Sequence, residues 1–352
     1  MENIKIIIKK DIDKELEQNW LKLQNNTECS VFQYVSWIKN WKKEISDADK
    51  NSLCLFVQIF YNEILICILP LQLISRFSFK TLKVAGRPFN DYSDIVLDKN
   101  YFDFMKQNSQ FLFSMILSHI STDMVYFENV PEKSNLYYLI KNYELQPHPY
   151  GSYQLKYIKK NKLLSNKFEN DTLRQIKRLK NLGELEFKTI KNSGCKKKFF
   201  SFFKLNKEKQ LQETKNWNYF KNNNYLNFLK NILFDDYHSE ISVLYLNNKI
   251  IAGHFGLKIF ERFYYLFPTY DKRLSKYSPG NIVLFYLIKN FFENGGKTFD
   301  LTTGDEKYKI KISNNINKVL YFNKSYSIKG YILKLIIFFT NSLKKIKYNY
   351  LK

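Results

Sequence analysis

Arginine is scarce in this chain. Only six of its 56 basic residues are arginine, so 50 are lysine, set against 33 acidic residues and a formal net charge of +23. Arginine is what grips phosphates and base edges bidentately. Its scarcity, beside abundant Asn, Ile, Lys, Phe and Tyr, reads as the coding bias of an AT-rich genome ahead of a nucleic-acid surface. The charge still admits an anionic partner: nucleic acid, acidic glycan, membrane surface or a phosphate-bearing carrier. Cysteine is equally sparse. Cys29, Cys54, Cys67 and Cys195 show no short paired spacing, which argues against a zinc site or a disulfide framework and fits a reducing compartment. Cys54 and Cys67 fall in apolar strand patterns and read as small core residues. His119, His148, His238 and His254 have no metal-ligand spacing. No Ser-His-Asp order, nucleophile elbow or Walker loop is present. The N-terminus mixes Ile and Lys without the long apolar stretch of a secretory leader. The run Leu335–Phe339 falls far short of the ~20 residues of a spanning helix. A cytoplasmic location is the expectation. No Gly/Ser-rich or Pro-rich linker divides the chain.

What is there is a large apolar supply. Hydrophobic residues make up 45% and aromatics 17% of 352 residues, enough for two cores. The first half reads as a strand (Ile4–Ile8) and a helix over 12–23. A second helix carries the stripe Tyr34, Trp37, Ile38, Trp41 and Ile45, which reads as core. A hairpin follows (Leu53–Phe60 and Ile64–Leu73, turned by Tyr61-Asn62-Glu63), then a loop over 86–94. A helix at 101–119, a strand at Met124–Phe127, a short helix at 134–142 and a strand at Tyr153–Ile158 end the half. A basic helix over 165–181 stops at Gly183. The second half then repeats the order: strand Leu185–Ile190, helices over 196–210 and 221–234, and strands Ile241–Leu246, Ile250–Ile259 and Phe263–Phe267. A helix after Gly280, a strand at Thr298–Leu301 and a last strand near Val319–Tyr326 complete it. No residue-level repeat accompanies this shared order. Short strands beside helices predict two α/β layers.

The densest signal lies between residues 277 and 309. Ser278-Pro279-Gly280 opens an apolar helix; Phe299-Asp300-Leu301 is a strand; Gly304-Asp305-Glu306-Lys307-Tyr308-Lys309 follows with no slack. Proline at the first helical position and glycine beside it leave N–H groups free at a positive helix end. Such an end receives phosphate, and α/β sheets place ligands at strand C-termini. The order points to a transferase holding a phosphorylated carrier.

These residues resemble the GNAT-related acetyltransferases of the CelD/BcsL (BioF-like) family, relatives of the FemABX aminoacyltransferases. The likeness is carried by Tyr277-Ser278-Pro279-Gly280, Phe299-Asp300-Leu301 and Gly304 to Lys309. In the first half Phe32-Gln33 before a Trp helix, Leu69-Pro70-Leu71 and Asn90-Asp91-Tyr92-Ser93-Asp94 add to it. The resemblance implies a tandem GNAT-like α/β fold (acyl-CoA N-acyltransferase, FemABX-like) and acyl transfer from acyl-CoA, such as acetyl-CoA, to an amine. The chain departs from the family in having Asn206 and Lys209 where relatives often carry His and Arg, and in lacking an Arg- and Gly-rich phosphate loop.

The candidate residues each have two readings. Asp305 and Glu306 can take the proton of an attacking ammonium, or form a capped turn paired with Lys307 or Lys309. Tyr308 can donate to a leaving thiolate, or simply be a half-buried aromatic. Lys276, Ser278, Gly280 and Asn281 are the expected pyrophosphate cradle of the donor. Lys309 can pair with phosphate or a sugar carboxylate, or be solvated. Asp91 and Asp94 can face the acceptor, or cap Asx turns. His254 can be a base in a central strand, or a satisfied core histidine. Arg174 and Arg178 lie one turn apart on the basic helix and can grip phosphate, or face water.

The resulting expectation has four parts: an N-terminal GNAT-like half (1–160), a linking helix (161–182), a C-terminal half with the donor site (183–327), and a basic amphipathic C-terminal helix (328–352). The helix reads first as docked on its domain and second as a peripheral contact to an anionic membrane. The activity expected is an acetyltransferase-type transfer to an amine on a sugar or cell-envelope polysaccharide precursor, with no metal. Two other readings stand beside it: transfer from aminoacyl-tRNA, and a non-catalytic glycan- or membrane-binding protein on a transferase fold.

Overall fold

The computed structural model describes residues 3–158, 163–213, 218–234, 238–304 and 306–337. The chain forms two units, Met1–Pro149 with Lys318–Lys352, and Tyr150–Asn317.

The first unit opens with β1 (Ile4–Lys9), α1 (Lys14–Asn25) and α2 (Val35–Trp41). Trp37, Ile38 and Trp41 are buried as the stripe predicts. Past Trp41 the helix widens into a π turn over Lys42–Ser46, so Ser46 rather than Ile45 turns inward. The strands β2 (Ser52–Tyr61) and β3 (Ile64–Arg76) form a hairpin. Its turn residues Asn62 and Glu63 both have positive φ, 49° and 63°, the two-residue geometry that matches strand twist. Then come β4 (Phe79–Val84), β5 (Val96–Leu97), α3 (Phe102–Gln107), α4 (Ser109–Ser118), β6 (Met124–Pro131) and α5 (Asn135–Ile140). The single helix expected over 101–119 is thus two, broken at Asn108.

The second unit takes β7 (Leu145–Lys156), α6 (Asn166–Lys180), β8 (Leu185–Ile190), α7 (Ser193–Glu213), α8 (Asn223–Phe234), β9 (Ser239–Leu246), β10 (Lys249–Ile259) and β11 (Arg262–Tyr270). After them come α9 (Pro279–Glu293), β12 (Thr298–Gly304) and α10 (Lys307–Ile312). α6 starts on the Ser165 hydroxyl, which accepts the Phe168 N–H, and buries Thr172, Ile176 and Leu179. Nine of the 15 residues of α9 are buried, the mark of an interior helix. β13 (Asn315–Ser325) follows, and residues 328–337 are helical.

The strands of the two units repeat one topology. In the first, β1-β2-β3-β4 run antiparallel, β6 joins β4 in parallel, and β13 pairs β6 antiparallel. In the second, β8-β9-β10-β11 run antiparallel, β12 joins β11 in parallel, and β7 pairs β12 antiparallel. The sixth strands are exchanged in chain order. The first unit's set is closed by the strand after α10, the second unit's by the strand before α6. Chain order gives the division at 160 and 327 expected from sequence, while the two compact units divide at 149/150 and 317/318.

Candidate functional site

A gap between two parallel strands organises the second unit. β11 and β12 pair at only three positions, Arg262↔Thr298, Phe263↔Phe299 and Tyr264↔Asp300. At that level both strands slip register against their other neighbours. Between Phe255↔Phe267 and Leu257↔Tyr264, two residues of β11 (Tyr265 and Leu266) oppose only Gly256 of β10. β12 slips between Asp300 and Thr302 against β7, and Thr302 takes φ 63°. Each slip is a β-bulge, which bends its strand and frees a backbone group. Beyond Tyr264 the two strands no longer pair, and among the described residues the edge of β11 facing β12 has no strand partner. Pro268 sits in this stretch, where a residue without an N–H is tolerated.

Buried polar groups hold the fork. The Asp300 carboxylate is fully buried and accepts from the Arg262 guanidinium, from Gln154 Nε2 (3.1 Å) and from the Thr302 N–H (2.8 Å). His254 caps the bulge in β11: its Nε2 accepts the Leu266 N–H at 3.0 Å and its ring stacks on Tyr265. An acceptor at Nε2 assigns the proton to Nδ1. Burial, reinforced by the Lys207 ammonium, holds this imidazole neutral, its pKa well below the usual 6.5. Nδ1 finds no partner among the described residues, nor does the buried Thr269 hydroxyl on β11. His254 is wholly enclosed, so the substrate contact expected of it is corrected. It shapes the strand instead.

The start of α9 borders a cleft of about 540 Å³. Ser278 precedes the helix in the left-handed region, φ 50°, and Pro279 takes its first turn. The Asn281 and Ile282 N–H groups both donate to the Ser278 carbonyl, at 3.0 and 3.3 Å. The amide cradle expected there is therefore narrower, and the Gly280 N–H is what the helix end has to offer. Side chains supply the rest. Ser278 and Asn281 share the cleft with Lys167 and Arg174 of α6 and with Lys307, Tyr308 and Lys311 of α10. Four cations thus face one carboxylate, Asp171, already paired with Arg174 at 3.0 Å. Lys276 and Arg178 both lie over the Tyr277 ring, and Arg178 also donates to the Lys276 carbonyl.

The segment after Gly304 faces the same region. It is a helix, α10, where the sequence reading had only a turn. Gly304 has φ 140°, and a Cβ there would lie 2.1 Å from Glu306 Oε2 and 2.8 Å from Lys309 Nζ. Lys309 is buried, in contrast to a solvated lysine; it donates to the Thr303 carbonyl and pairs with Glu306 at 3.1 Å. Tyr308 is half-buried, edge-on to Tyr265. Asp305 lies outside the described residues.

The residue that the sequence reading missed is Lys207 of α7. Its ammonium donates to the Pro268 carbonyl at 3.3 Å, on the unpaired stretch of β11. Burial pushes its pKa down from 10.5 to about 8; Glu306 opposes the shift and Lys309 adds to it. Lys207, Lys309 and Glu306 therefore sense one another at the fork. A signal was present: Phe199, Phe203, Lys207 and Leu211 fall at four-residue spacing, a lysine in an otherwise apolar helical stripe.

A second cleft, about 840 Å³, lies along α7 and the end of β11 and includes Asn206, Lys209 and Tyr270. Lys272 pairs there with Glu213 and Arg273 with Asp271, and Lys209 and Lys249 also line it.

In the first unit the loop over 86–94 is pinned by the helix that precedes the sheet. Gln33 Nε2 donates to the Tyr92 carbonyl, Trp37 Nε1 to Asn90 Oδ1 (2.6 Å) and Trp41 Nε1 to the Arg87 carbonyl. Phe32-Gln33 and Asn90–Asp94, far apart in sequence, thus form one structure. Asp94 is buried and its Oδ1 accepts the Leu136 N–H at 2.7 Å. It caps α5, which corrects its expected place facing an acceptor. Burial raises its carboxyl to about 7, against several backbone N–H donors. Asp91 is half-buried.

Among the described residues no group of three or more His, Cys, Asp or Glu side chains is placed to hold a metal.

Residues 166–310 match the family model of an acetyltransferase (GNAT) domain. That segment holds the forked strands, the start of α9 and α10 to Ile310, and its domain is that of an N-acyltransferase. In fold the chain is similar to FemX, with TM-score 0.61 and 11% identity over 94% of this chain and 99% of that one. It is also similar to the C-terminal domain (DUF2156) of a putative lysylphosphatidylglycerol synthetase from Agrobacterium fabrum. There the TM-score is 0.54, with 11% identity over 85% of this chain and 94% of that one. A conserved protein of unknown function from Bacteroides thetaiotaomicron VPI-5482 gives 0.52 and 13%, over 90% and 99%. No curated protein matches in sequence. The fold is thus a tandem, FemX-like GNAT α/β architecture.

Proposed function

We propose that the chain transfers an acyl group from acyl-CoA to an amine on a sugar or cell-envelope polysaccharide precursor, in the manner of the CelD/BcsL relatives. The carrying observation is the fork between β11 and β12, inside an acetyltransferase domain and beside a cationic cleft at a helix start. A strand edge without a partner suits an extended ligand that carries its own amides, and the pantetheine arm of CoA is one. Lys167, Arg174, Lys276, Lys307 and Lys311 would hold its phosphates with Ser278, the Gly280 N–H and Asn281. The four cysteines are free thiols, which supports a cytoplasmic setting.

In this reading the acceptor arrives as an ammonium. Neutral Lys207 takes its proton, and Glu306 holds the cation beforehand. The amine nitrogen bonds to the thioester carbon and the C–S bond breaks; the departing thiolate takes a proton from Tyr308 or from the Lys207 ammonium, the nitrogen's second proton passes to whichever of the two has just given its own, and Lys207 releases the remaining proton to solvent. Such proton transfer contributes about 10²–10⁴-fold when the base titrates near the working pH.

Thermal-shift titration against a panel of CoA thioesters tests the donor, since a ligand of the folded state alone raises its melting point. The expected result is a rise with acetyl-CoA or a longer acyl-CoA. Aminoacyl-tRNA belongs in the same screen, because the FemX-like fold and the net charge of +23 favour it as second donor class. A shift with aminoacyl-tRNA alone would replace acyl-CoA; a shift with neither, alongside retained glycan binding, would leave a non-catalytic binder.

A further inference from the structure

We infer that the first unit docks on an anionic lipid surface through the Phe77 turn and the helix that starts at Ile328. Along that helix Ile328, Tyr331, Ile332, Leu335 and Ile336 recur at three- and four-residue spacing. All five are exposed, Ile328 to 81% and Tyr331 to 63%. Docking on the domain, the first expectation for this tail, would have buried them. The start of the helix is fixed. Gly330 fits against the Asp123 carbonyl, which a Cβ would approach to 2.0 Å, and the Ser327 hydroxyl bridges Asp123 and the Gly330 N–H. The apolar stripe is thereby held facing outward rather than left loose.

A separate element presents the same character. Phe77 and Ser78 turn β3 into β4 with positive φ at both, 49° and 66°. Phe77 is 94% exposed. Lys329 Nζ reaches the Ser78 carbonyl at 3.5 Å, which ties this turn to the helix start. An aromatic at the tip of a tight turn costs solubility and contributes nothing to its own core, so its position asks for a partner.

Charge complementarity names the partner. No acidic residue follows Glu306 in the sequence, while 11 lysines do. Lys329 and Lys334 flank the described stripe. The same spacing continues in sequence through Phe339, Leu343 and Ile346 with Lys344, Lys345 and Lys347 beside them, outside the described residues. An apolar stripe edged by lysines lies in a bilayer interface rather than across it, and anionic headgroups attract each nearby lysine. No helix of the described residues is long and apolar enough to cross a membrane. An acidic protein surface would satisfy the lysines but leave the apolar stripe without the depth an acyl boundary gives.

Co-sedimentation of the full chain with extruded vesicles tests this. Binding is expected to vesicles containing phosphatidylglycerol and not to pure phosphatidylcholine, and is weakened by high salt. The double variant Phe77→Ser/Ile332→Ser should lower partitioning about tenfold or more. Lys334→Gln should lower it about fivefold. All three side chains are exposed or flank the stripe, so the melting temperature should stay put, which separates lost binding from lost folding. Absence of binding to anionic vesicles, equal binding to neutral ones, or unchanged binding by the double variant overturns the inference. So does light scattering that shows a dimer dissociated by the same variant, which would assign the stripe to a second copy.

Discussion

Replacing Lys207 with methionine should remove the rise of the pH–rate profile through pH 8. The lysine titrates near 8 instead of 10.5 because burial disfavours its charge. At pH 7.5 a base of that strength is about one-quarter neutral, whereas an ordinary lysine is neutral to about one part in a thousand. The protein thus holds on the order of 200 times more free amine at the fork than an exposed lysine would provide. If that amine accepts the ammonium proton, kcat/KM for the amine acceptor rises through pH 8 and then levels. Lys207→Met should cost about 10²–10³-fold at the plateau and leave a flat profile over this range. Lys207→Arg keeps the charge and cannot deprotonate, so it should fail as completely as methionine. The assay is release of free thiol from acyl-CoA, followed against pH.

Stability supplies a second readout for the same residue. A lysine whose pKa is depressed binds fewer protons folded than unfolded between about 8 and 10.5, so unfolding free energy rises with pH across that window. The methionine variant should lose this rise and should be no less stable at pH 7. Activity lost with stability kept would place the effect in the reaction. A variant with an unchanged rate midpoint and full activity would refute the assignment, and the proton would then belong to Glu306 alone.

Asp94 carries the opposite sign. Its carboxyl, raised to about 7 from 3.8, binds a proton more readily folded than unfolded, so stability falls as pH rises from about 4 to 7. Asp94→Asn keeps the Oδ1 acceptor for Leu136, and should flatten that slope and gain up to about 4 kcal/mol above pH 7 in chemical denaturation. Gly304→Ala places a Cβ against Glu306 and Lys309 at φ 140° and should cost about 1–2 kcal/mol, read as a lower melting temperature. Arg174→Glu reverses one of the cations lining the cleft at α9. It should raise KM for acyl-CoA about five- to tenfold at low salt, with the difference shrinking as salt is added.

Local chemistry made much of the second unit legible. Strand Leu185–Ile190 has the bounds its apolar pattern predicts, and the Asn247-Asn248 turn has positive φ at both positions as a two-residue hairpin requires. The start of α9 is readable because proline fixes its own φ at a first helical position and glycine leaves its amide uncovered, both without help from neighbours. Three other features were hidden for a common reason. The exchange of β7 and β13 is invisible in chain order, since either strand satisfies its alternation in either unit. The π turn at Lys42–Ser46 leaves no propensity signal and appears only when Ser46 must reach Ser52 and Cys54. The pinning of Asn90 by Trp37 spans 53 residues, beyond any window of periodicity. For Asp94 the sequence leaves both readings open, because a loop carboxylate that caps a helix start and one that meets a substrate share the same neighbours. Lys207 shows in sequence only as a lysine in the Phe203 stripe, since its contact with Pro268 spans 61 residues.

The fork shows why the site depends on two slips rather than one. A bulge in β11 alone would bend that strand while β12, still in register with β7, could follow it and keep the parallel pair closed. A slip in β12 alone would leave β11 straight against β10, with its amides still committed to the ladder. Here both occur at the level of Tyr264 and Asp300, and each is fixed by a buried side chain that replaces the missing backbone partner: His254 for the Leu266 N–H, Asp300 for the Thr302 N–H. These two residues are wholly buried, yet they hold open the edge that would receive a ligand. An expected consequence is that His254→Phe, which keeps the stack on Tyr265 but strands the Leu266 amide, closes the bulge or costs about 1–3 kcal/mol. Either result should weaken acyl-CoA binding more than any single cation of the cleft does. Calorimetry that finds donor affinity unchanged in a folded His254→Phe protein would show that the fork is not where the carrier lies.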